Sequence, residues 1–378
     1  MKEGYREIVV AMDSFKGSLT SQQASEALAE GIRAQYPNCR VVTIPLADGG
    51  EGSAEVLTEA LGGSFVEVEV SAPRGWRLVT HYGLVEGVAI MDFASAAGLT
   101  LLTPEQRNPL LTTSRGVGEM MADALRRGCR KILLGLGGSA TNDCATGALQ
   151  ALGVRFFDAS GEEVEGCGGN LSRIATIDTS YIMPQLADVE LVLLADVTTP
   201  LCGTHGATRT FAPQKGATAE MVAHLEEGVD SFARVMEEFA HRSVTDLAGG
   251  GAAGGTAAAF VALAHAEIRH GADVVLEAVD FRHRVRGSEL VITGEGRIDH
   301  QTLLGKLPSR VATVARQEGV PTIGVGGSVE LCPHLAQSDL FVALYASTPD
   351  DMPLAEALQP AVAQRNLRQL GKRLKIES

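Results

Sequence analysis

The sequence predicts an α/β protein that contains a doubly wound, flavodoxin- or Rossmann-like parallel sheet. Short apolar runs such as Glu7–Met12 suit buried parallel strands, and helical patterns alternate with such runs at both chain ends. Glycine-rich loops follow several of these runs, and 43 of the 378 residues are glycine. We expect five strands in this sheet, with the sequences EIVVAM, RVVTIP, ELVITG, PTIGVG and LFVALYA.

The first strand is followed by a loop and then by a helix. Thr20 and Gln23 have the spacing of a capping box, and the helix must end before Pro37. After the second strand, the segment SAEVLTEA predicts another helix, which Gly62 or Gly63 would terminate. Both ends of the chain therefore consist of strand–loop–helix units.

The middle of the chain has a different pattern. Strand-like pieces lie close together over Phe65–Phe93, which favours an antiparallel meander rather than βαβ units. We therefore expect one domain from residues 1–64 plus 287–378, with a second, mixed α/β domain inserted at 65–286. Further elements predicted in the insert are a helix at Ser114–Arg127, the strands KILLGL and LVLLAD, and helices at Thr218–Phe239 and Gly254–Glu267.

Composition limits the partners of the protein. With 32 basic and 46 acidic residues the net charge is −14, and such a surface repels nucleic acid and anionic membranes. The N-terminus is too charged for a signal peptide, and the six cysteines form no C-x-x-C pair. We expect a cytoplasmic enzyme with reduced cysteines that acts on small molecules; monomer and homodimer both stay open.

Five glycine-rich loops follow predicted strands or begin helices. Ligands of open α/β sheets bind beyond the carboxyl ends of the strands, and glycine lets the backbone approach a phosphate closely. Tight turns and helix caps are the alternative role for each single loop. The loops are DSFKGS (Asp13–Ser18), ADGGEGS (Ala47–Ser53), GLGGSATND (Gly135–Asp143), GGGAAGGT (Gly249–Thr256) and TGEGRID (Thr293–Asp299).

Charged residues accompany these loops. Lys16 and Arg297 lie within glycine loops at strand ends, where a cation can meet carboxylate or phosphate. Asp196 ends a fully apolar strand, where a charge needs a partner or a metal, whereas Asp143 suits a helix cap equally well. The carboxylates of the loops are Asp13, Asp48, Glu51, Asp143, Asp196, Glu295 and Asp299.

Two nucleotide-binding motifs can be compared with the chain. No G-x-x-x-x-G-K-[ST] sequence occurs, which excludes a Walker-type loop. GLGGSA fits the relaxed dinucleotide fingerprint, and Asp158 follows at a tolerable distance, so a nicotinamide-dependent dehydrogenase stays an alternative. Against it, Asn142 and Asp143 stand where a dinucleotide site needs small residues. A non-catalytic binding protein for a small acid is the second alternative.

Several of these segments, in this order, resemble the type-1 glycerate kinase family (glycerate 2-kinase). The resemblance extends from Asp13 to Lys306 and implies ATP-dependent, Mg²⁺-assisted phosphorylation of D-glycerate to 2-phosphoglycerate in organic-acid catabolism, with 3-phosphoglycerate not excluded. It also implies two α/β domains with the active site in the cleft between them. The matching segments are DSFKGSL, PLADGGEGS, GLGGSATND, ADVTTPLCG, FAPQKGA, GGGAAGGT and TGEGRIDHQTLLGK.

The resemblance supports an assignment of roles. Phosphoryl transfer needs positioning and charge neutralisation, so Lys16 and Arg297 are predicted to contact the glycerate carboxylate or the transferred phosphoryl group. Asp196 is predicted as the base, with Asp299 as the alternative. Asp48, Glu51 or Glu295 is predicted to hold the metal ion. The residues predicted to bind ATP are Gly137, Gly138, Ser139, Asn142, Gly254, Gly255 and Thr256.

Two positions depart from the family pattern. Thr199 stands where that pattern usually has Asn, and Cys144 stands where Gly usually follows GGSATND. Both replacements are small, so they affect the expected local contact rather than the expected reaction.

Overall fold

The computed structural model describes residues 7–336 and 338–375. The chain forms two compact units, of which unit 1 comprises Met1–Asp48 and Ala272–Ser378 and unit 2 comprises Gly49–Gly271. The strands are β1 (Glu7–Met12), β2 (Arg40–Thr43), β3 (Ser64–Ser71), β4 (Arg77–Val85), β5 (Val88–Asp92), β6 (Lys131–Gly135), β7 (Arg155–Phe157), β8 (Thr176–Asp178), β9 (Glu190–Leu194), β10 (Glu267–Arg269), β11 (Leu290–Ile298), β12 (Thr322–Val329) and β13 (Ala343–Ala346).

The α-helices of the described residues range from 4 to 22 residues in length. The α-helices are α1 (Ser21–Gln35), α2 (Ser53–Ala60), α3 (Ala94–Ala97), α4 (Arg115–Arg126), α5 (Thr146–Ala151), α6 (Ala207–Phe211), α7 (Ala219–Ala240), α8 (Ala252–Leu263), α9 (Gly271–Ala278), α10 (Phe281–Val285), α11 (Leu307–Gln317), α12 (Pro333–Ala336), α13 (Leu354–Ala357) and α14 (Pro360–Arg373). Short 3₁₀ segments span Leu99–Leu101, Pro104–Gln106, Gly168–Arg173, Pro184–Ala187, Pro213–Lys215 and His300–Leu304.

Unit 1 contains a five-stranded sheet with the order β13-β12-β11-β1-β2, and all of its strand pairs are parallel. Numbered along the chain, this is the doubly wound order 2-1-3-4-5, so the predicted fold class is confirmed. The direction of winding reverses between β1 and β11. Asp13 lies at this switch point, where its backbone N–H donates to the Gly294 carbonyl at 2.8 Å.

The helices of unit 1 pack at very short range. The capping box predicted for α1 is confirmed, because Gln23 N–H donates to the Thr20 hydroxyl and the Gln23 side chain accepts from Thr20 N–H. A Cβ added at Gly31 would lie 2.2 Å from a carbonyl of α14, and one at Gly371 would lie 2.5 Å from a carbonyl of α1. Only glycine at both positions lets the last long helix close against the first one.

Unit 2 contains a six-stranded mixed sheet with the order β10-β9-β6-β5-β4-β3. Strands β3, β4 and β5 form the predicted antiparallel meander, and β5, β6, β9 and β10 pair in parallel. The ends of the parallel strands are in register, since Asp92 pairs with Gly135, Gly135 with Leu194, and Leu194 with Arg269. Loops that leave these strands therefore start from one edge of the sheet.

The structure corrects three predictions of local organisation. The unit boundaries lie at Asp48 and Gly271 instead of residues 64 and 286, because α2 packs on β4 and β5, with Thr58 against Gly83. The predicted helix Gly254–Glu267 ends at Leu263, and Glu267 begins β10. Of the segment TGEGRID, residues 293–298 form the second half of strand β11 and not a loop, and Asp299 follows the strand.

None of the helices in residues 7–336 and 338–375 combines the length and hydropathy that a membrane crossing requires. The six cysteines all lie in these ranges, and none of them is disulfide-bonded.

Candidate active site

In unit 1, the loop after β1 places the buried carboxyl group of Asp13 beside the accessible ammonium group of Lys16. Asp13 is only 3% exposed, and Ser14 N–H donates to its Oδ1 at 2.6 Å. Lys16 Nζ lies 2.8 Å from Asp48 Oδ2, and 70% of the Lys16 side chain is exposed. The predicted residues Lys16 and Asp48 are therefore direct partners, and the ammonium group remains accessible to an anionic ligand.

Charges in this loop change the acidity of both groups. Burial raises the pKa of Asp13 well above its usual range, the nearby Asp48 and Glu295 carboxylates act in the same direction, and Lys16 opposes them. The Asp48 carboxylate raises the pKa of the Lys16 ammonium. We define Asp13, Lys16, Asp48 and Glu295 as the switch-point cluster. It contains three carboxyl groups and one permanent cation.

Glu295 extends from β11 and is itself part of a network. The Thr302 hydroxyl donates to Glu295 Oε1 at 2.8 Å, and Lys306 Nζ lies 3.5 Å from Glu295 Oε2. Burial raises the pKa of Glu295, while Lys306 acts against this shift. Gly296 follows Glu295 on the strand, and a Cβ there would lie 3.7 Å from the Lys16 backbone nitrogen. Strand β11 therefore packs closely against the backbone of the loop after β1.

Asp299 and Arg297 have other contacts in the structure. Asp299 caps the 3₁₀ segment that follows, because its Oδ1 accepts from Gln301 N–H at 2.9 Å. Arg297 pairs with Glu330 and lies 3.4 Å from Asp299 Oδ2, with 63% of its side chain exposed. These contacts account for both residues without a substrate, so their catalytic roles stay predictions.

The residues predicted to hold the metal ion do not form a complete set of metal ligands in the described part of the chain. Asp48 and Glu295 belong to unit 1, whereas Glu51 belongs to unit 2. Within residues 7–336 and 338–375, no group of three or more His, Cys, Asp or Glu side chains is arranged to hold a metal ion.

In unit 2, Asp92 is a site residue that the sequence analysis missed. It ends β5 and is buried, and its carboxylate accepts from Gly52 N–H at 2.8 Å and Ala54 N–H at 3.0 Å. Asp92 thus caps α2 and fixes the loop that carries Glu51. An acidic residue directly after an apolar strand was a usable signal for it, the same signal that singled out Asp196.

The glycine turn after β6 contacts the loop that Asp92 fixes. A Cβ added at Gly137 would lie 2.6 Å from Gly50 Cα, and one at Gly138 would lie 3.8 Å from the Glu51 carboxylate. Gly138 has a φ of +75°, which favours glycine. The structure thus brings Gly137, Gly138 and Glu51 together at the carboxyl edge of this sheet.

The next residues of this loop are held from the interior. Lys215 is 2% exposed, and its Nζ donates to Ser139 Oγ at 2.9 Å and to the Thr141 carbonyl at 2.6 Å. Asn142 is fully buried, and its Nδ2 donates to Thr208 Oγ1 at 3.2 Å. Lys215 lies in the matching segment FAPQKGA, but it was not among the residues predicted for the site.

Asp143 is a structural residue in the fold. Its Oδ2 accepts from the Ser114 backbone N–H at 2.8 Å and from the Ser114 hydroxyl at 2.7 Å. It also accepts from Gly147 N–H at 3.4 Å, so one carboxyl group ties the starts of α4 and α5 together. Burial raises the pKa of this carboxyl. The capping alternative considered for Asp143 describes these contacts.

The predicted nucleotide residues Gly254, Gly255 and Thr256 are buried in the interior of unit 2. A Cβ at Gly254 would lie 2.2 Å from the Thr141 carbonyl, and both glycines have positive φ. The Thr256 hydroxyl donates to the Ala253 carbonyl at 2.8 Å. This segment supports the loop after β6 from behind, and direct contact with ATP stays a prediction for these three residues.

Asp196 lies where β9 and β10 end. Its Oδ1 accepts from Gly271 N–H at 2.8 Å and lies 3.1 Å from His270 Nδ1. A cavity of about 400 Å³ beside it is lined by Thr198, Arg242 and apolar side chains, among others. Asp196 therefore joins the loops after two neighbouring strands, a positioning contact that does not by itself identify a base.

Comparison with known proteins decides the family. The profile of the Glycerate kinase family matches residues 8–376. The chain belongs to the glycerate kinase family. A glycerate kinase of Bacillus subtilis (strain 168) is 40% identical over 373 residues, which cover 98% of each chain. A glycerate 2-kinase of Escherichia coli (strain K12) is 41% identical over 324 residues, 85% of each chain.

A solved structure supports the same family. The crystal structure of a Salmonella typhimurium LT2 protein that has been assigned as a glycerate kinase 2 matches with a TM-score of 0.82. The two sequences are 40% identical, and the match covers 98% of this chain and 97% of that one. The family resemblance inferred from the motifs is confirmed.

Membership in the glycerate kinase family makes the two departures interpretable. Cys144 has a φ of +45°, in the left-handed region that favours the glycine of the family pattern. Thr199 engages its surroundings through the backbone, since its carbonyl accepts from Gly251 N–H at 3.0 Å. That contact does not depend on the side chain.

Asp92 yields a prediction for the pH dependence of stability. Burial raises the pKa of Asp92 to about 7, whereas an aspartate in an unfolded chain titrates near about 3.9. The folded state thus binds more protons between these values, and the contribution of Asp92 to stability is lost as the pH rises through about 7. Between about pH 5 and about pH 8, the free energy of unfolding of Asp92→Asn should therefore fall less steeply than that of the parent. The difference between the two slopes should reach up to about 1.4 kcal/mol per pH unit.

Urea titrations across this pH range measure the effect. Glu59→Gln is the matched control, because Glu59 is an exposed carboxylate on the same helix and is not among the groups that act on Asp92; this variant should keep the parental pH dependence. Parallel stability curves for Asp92→Asn and the parent would contradict the prediction.

Proposed function

We propose that this protein transfers the γ-phosphoryl group of ATP to glycerate and forms 2-phosphoglycerate. Membership in the glycerate kinase family supports the reaction class, and the relative named glycerate 2-kinase supports the position of the new phosphate. The observation in the structure that carries the proposal is the switch-point cluster, where an accessible ammonium group stands beside buried carboxyl groups. Ligands bind at such switch points in doubly wound sheets.

Lys16 is the proposed contact for the negative charge of the substrates. Both glycerate and the transferred phosphoryl group are anionic, and their approach to each other needs a cation. Lys16 has one partner, Asp48, and is exposed over 70% of its side chain, so it can reach a ligand without breaking the core. Its raised pKa keeps it charged through the neutral range.

Asp13 is the proposed acceptor of the proton from the glycerate hydroxyl group. A base is more effective when its pKa lies closer to neutrality, and burial together with Asp48 and Glu295 raises the pKa of Asp13. Asp196, the base predicted from the sequence, is held by the Gly271 N–H instead. We assign Asp196 to positioning the loops after β9 and β10.

Magnesium is proposed as the metal. Mg²⁺ typically binds one or two carboxylates, with phosphate oxygens and water as its other ligands. Asp48 and Glu295 are the proposed carboxylate ligands, because both act electrostatically on Asp13 and so belong to one cluster. The three carboxyl groups of this cluster outnumber the nearby cations Lys16 and Lys306, which favours the binding of a further cation. When bound, the metal would neutralise charge on the phosphates. Glu51 lies beside Gly138 and is proposed to face the phosphates there.

The turn after β6 is the proposed site of the ATP phosphates. Gly137 and Gly138 carry no side chain that would keep a phosphate away from their backbone N–H groups. Ser139 adds a hydroxyl group at the boundary of the core, since it is 9% exposed. Asn142 and the Gly254–Thr256 segment are proposed to support this turn, and their direct contact with ATP stays a prediction.

A coupled assay tests the reaction. Purified protein with ATP, Mg²⁺ and D-glycerate should release ADP, and phosphorus NMR should identify 2-phosphoglycerate as the product. Removing Mg²⁺ with EDTA should abolish turnover. NAD(P)H formation from glycerate without ATP would instead indicate a dehydrogenase, and 3-phosphoglycerate would contradict the assigned position of the phosphate.

The Lys16→Ala variant tests the switch-point cluster. Loss of a preorganised charge contact should lower kcat/KM by about two orders of magnitude, with little change in Tm. Arg40→Ala is a closely matched control, because Arg40 is also 70% exposed and paired with a glutamate, Glu7, at 3.2 Å. Arg40 begins β2, whereas Lys16 follows the carboxyl end of the neighbouring parallel strand β1. The two cations therefore lie toward opposite ends of these strands, so Arg40→Ala should keep parental kinetics. Equal kinetics in the two variants would make Lys16 an ordinary surface charge.

Asp13→Asn and Asp196→Asn separate the two candidate bases. Asn keeps the shape of the side chain but cannot accept the proton at neutral pH. Asp13→Asn should lose most of kcat at every pH while still binding ATP, whereas Asp196→Asn should keep measurable turnover because one acceptor oxygen remains for Gly271 N–H. The opposite order of kcat values would move the base to Asp196.

A further inference from the structure

Lys215 is a charged side chain placed deep inside unit 2. It ends the short 3₁₀ segment after α6 and is 2% exposed, which makes it one of the largest fully buried side chains in the described residues. Burial of an ammonium group is costly unless acceptors and opposite charge surround it. An apolar side chain of similar volume would fill this space without the cost, so the charge calls for a function.

The two side-chain hydrogen bonds of Lys215 lead to the loop after β6. Its Nζ donates to Ser139 Oγ at 2.9 Å and to the Thr141 carbonyl at 2.6 Å. The titratable groups that act on it are Asp143 and Cys144 of the same loop. Burial raises the pKa values of both the Asp143 carboxyl and the Cys144 thiol. The lysine thus supports this loop from its interior side.

The bond to Ser139 determines the direction of the serine hydroxyl. A hydroxyl group has one hydrogen to donate and two lone pairs that accept. Because Lys215 occupies a lone pair of Ser139 Oγ, the hydrogen of Ser139 remains available to donate elsewhere. Ser139 lies at the rim of the core, directly after the glycine turn, so its hydrogen can be donated to a ligand seated on that turn.

We propose that Lys215 is a positioning residue for ATP, which orients Ser139 and the turn at Gly137–Gly138 toward the phosphates and attracts them from behind with its charge. This inference rests on the proposed ATP-dependent reaction and assigns the phosphate-recognising part of the site. Lys215 itself does not contact the nucleotide, since its side chain is enclosed by the loop.

Two substitutions test the assignment. Lys215→Met removes the charge and keeps the length of the side chain, and Ser139→Ala removes the hydroxyl group that Lys215 orients. Isothermal titration calorimetry with ATP alone, together with steady-state kinetics, should show Kd and KM for ATP rising about tenfold or more in Lys215→Met. KM for glycerate should change less than about threefold. Ser139→Ala should act in the same direction.

The double variant tests whether Lys215 and Ser139 act on ATP binding through their shared hydrogen bond. Because both groups act through one hydrogen bond, Lys215→Met combined with Ser139→Ala should weaken ATP binding by clearly less than the product of the single effects. Lys131→Met is the control, since Lys131 begins the same strand β6 and is partly exposed, with Glu190 at 2.7 Å. It should bind ATP as the parent does. If the loss of ATP affinity in the double variant equals the product of the two single losses, Lys215 does not act through Ser139 and the proposal is overturned.

The pH profile gives a readout that a purely structural lysine would not change. Burial lowers the pKa of Lys215 to about 8. The protonated form is the donor and carries the charge, so ATP binding by the parent should weaken as the pH rises through about 8. This decline should be absent in Lys215→Met.

The outcomes distinguish this inference from the proposed function. If the parent binds no ATP, the proposed function fails and the role of Lys215 fails with it. If the parent binds ATP and Lys215→Met binds equally well, only the positioning role is overturned. If Lys215→Met does not fold, Ser139→Ala and the parental pH profile decide: parental ATP affinity in Ser139→Ala, or a flat profile, overturns the role.

Discussion

The alignment of parallel strand ends is the constraint on which the candidate site depends. In unit 2 the register places Asp92, Gly135 and Leu194 side by side, so the loops that follow leave from one edge. In unit 1 the bond from Asp13 N–H to the Gly294 carbonyl places the first loop at the switch point. Since parallel strands all end on the same side, polar residues far apart in sequence become neighbours.

Close backbone contact is the second feature that shapes unit 2. Gly135 lies against the Gly49 carbonyl, Gly137 against Gly50, and Gly254 against the Thr141 carbonyl. A Cβ at these positions would lie only 2.5, 2.6 and 2.2 Å, respectively, from the neighbouring backbone atom, so a side chain there would force the loops apart. The abundance of glycine therefore serves two purposes, which are exposed backbone N–H groups at the turn and tight packing behind it.

Two lysines, Lys16 in unit 1 and Lys215 in unit 2, show opposite uses of one chemical group. Lys16 is exposed and paired with Asp48, which raises its pKa and keeps the ammonium charged. Lys215 is buried, which lowers its pKa to about 8 and confines its hydrogen bonds to one loop. In our proposal the first contacts the substrates directly, and the second acts on ATP through Ser139.

The sequence by itself determined the fold class, the family and many of the regular elements. Apolar runs, the capping box at Thr20 and the order of the glycine motifs are local signals, so they were predictable without tertiary information. The tertiary structure decided which polar residues meet. It paired Lys16 with Asp48, made Asp299 a helix cap, and buried Gly254 against the loop after β6.

The residues that the sequence analysis missed or left unassigned show the physical reason. Asp92 ends an apolar strand and Asp13 follows one, but only the fold shows which backbone N–H groups or carboxylates lie next to them. Lys215 looks like a surface cation in its segment FAPQKGA, because lysine is rarely buried. Its burial follows from packing against a loop more than seventy residues earlier in the chain. Local patterns specify strands, helices and turns, whereas burial and charge pairing depend on long-range contacts.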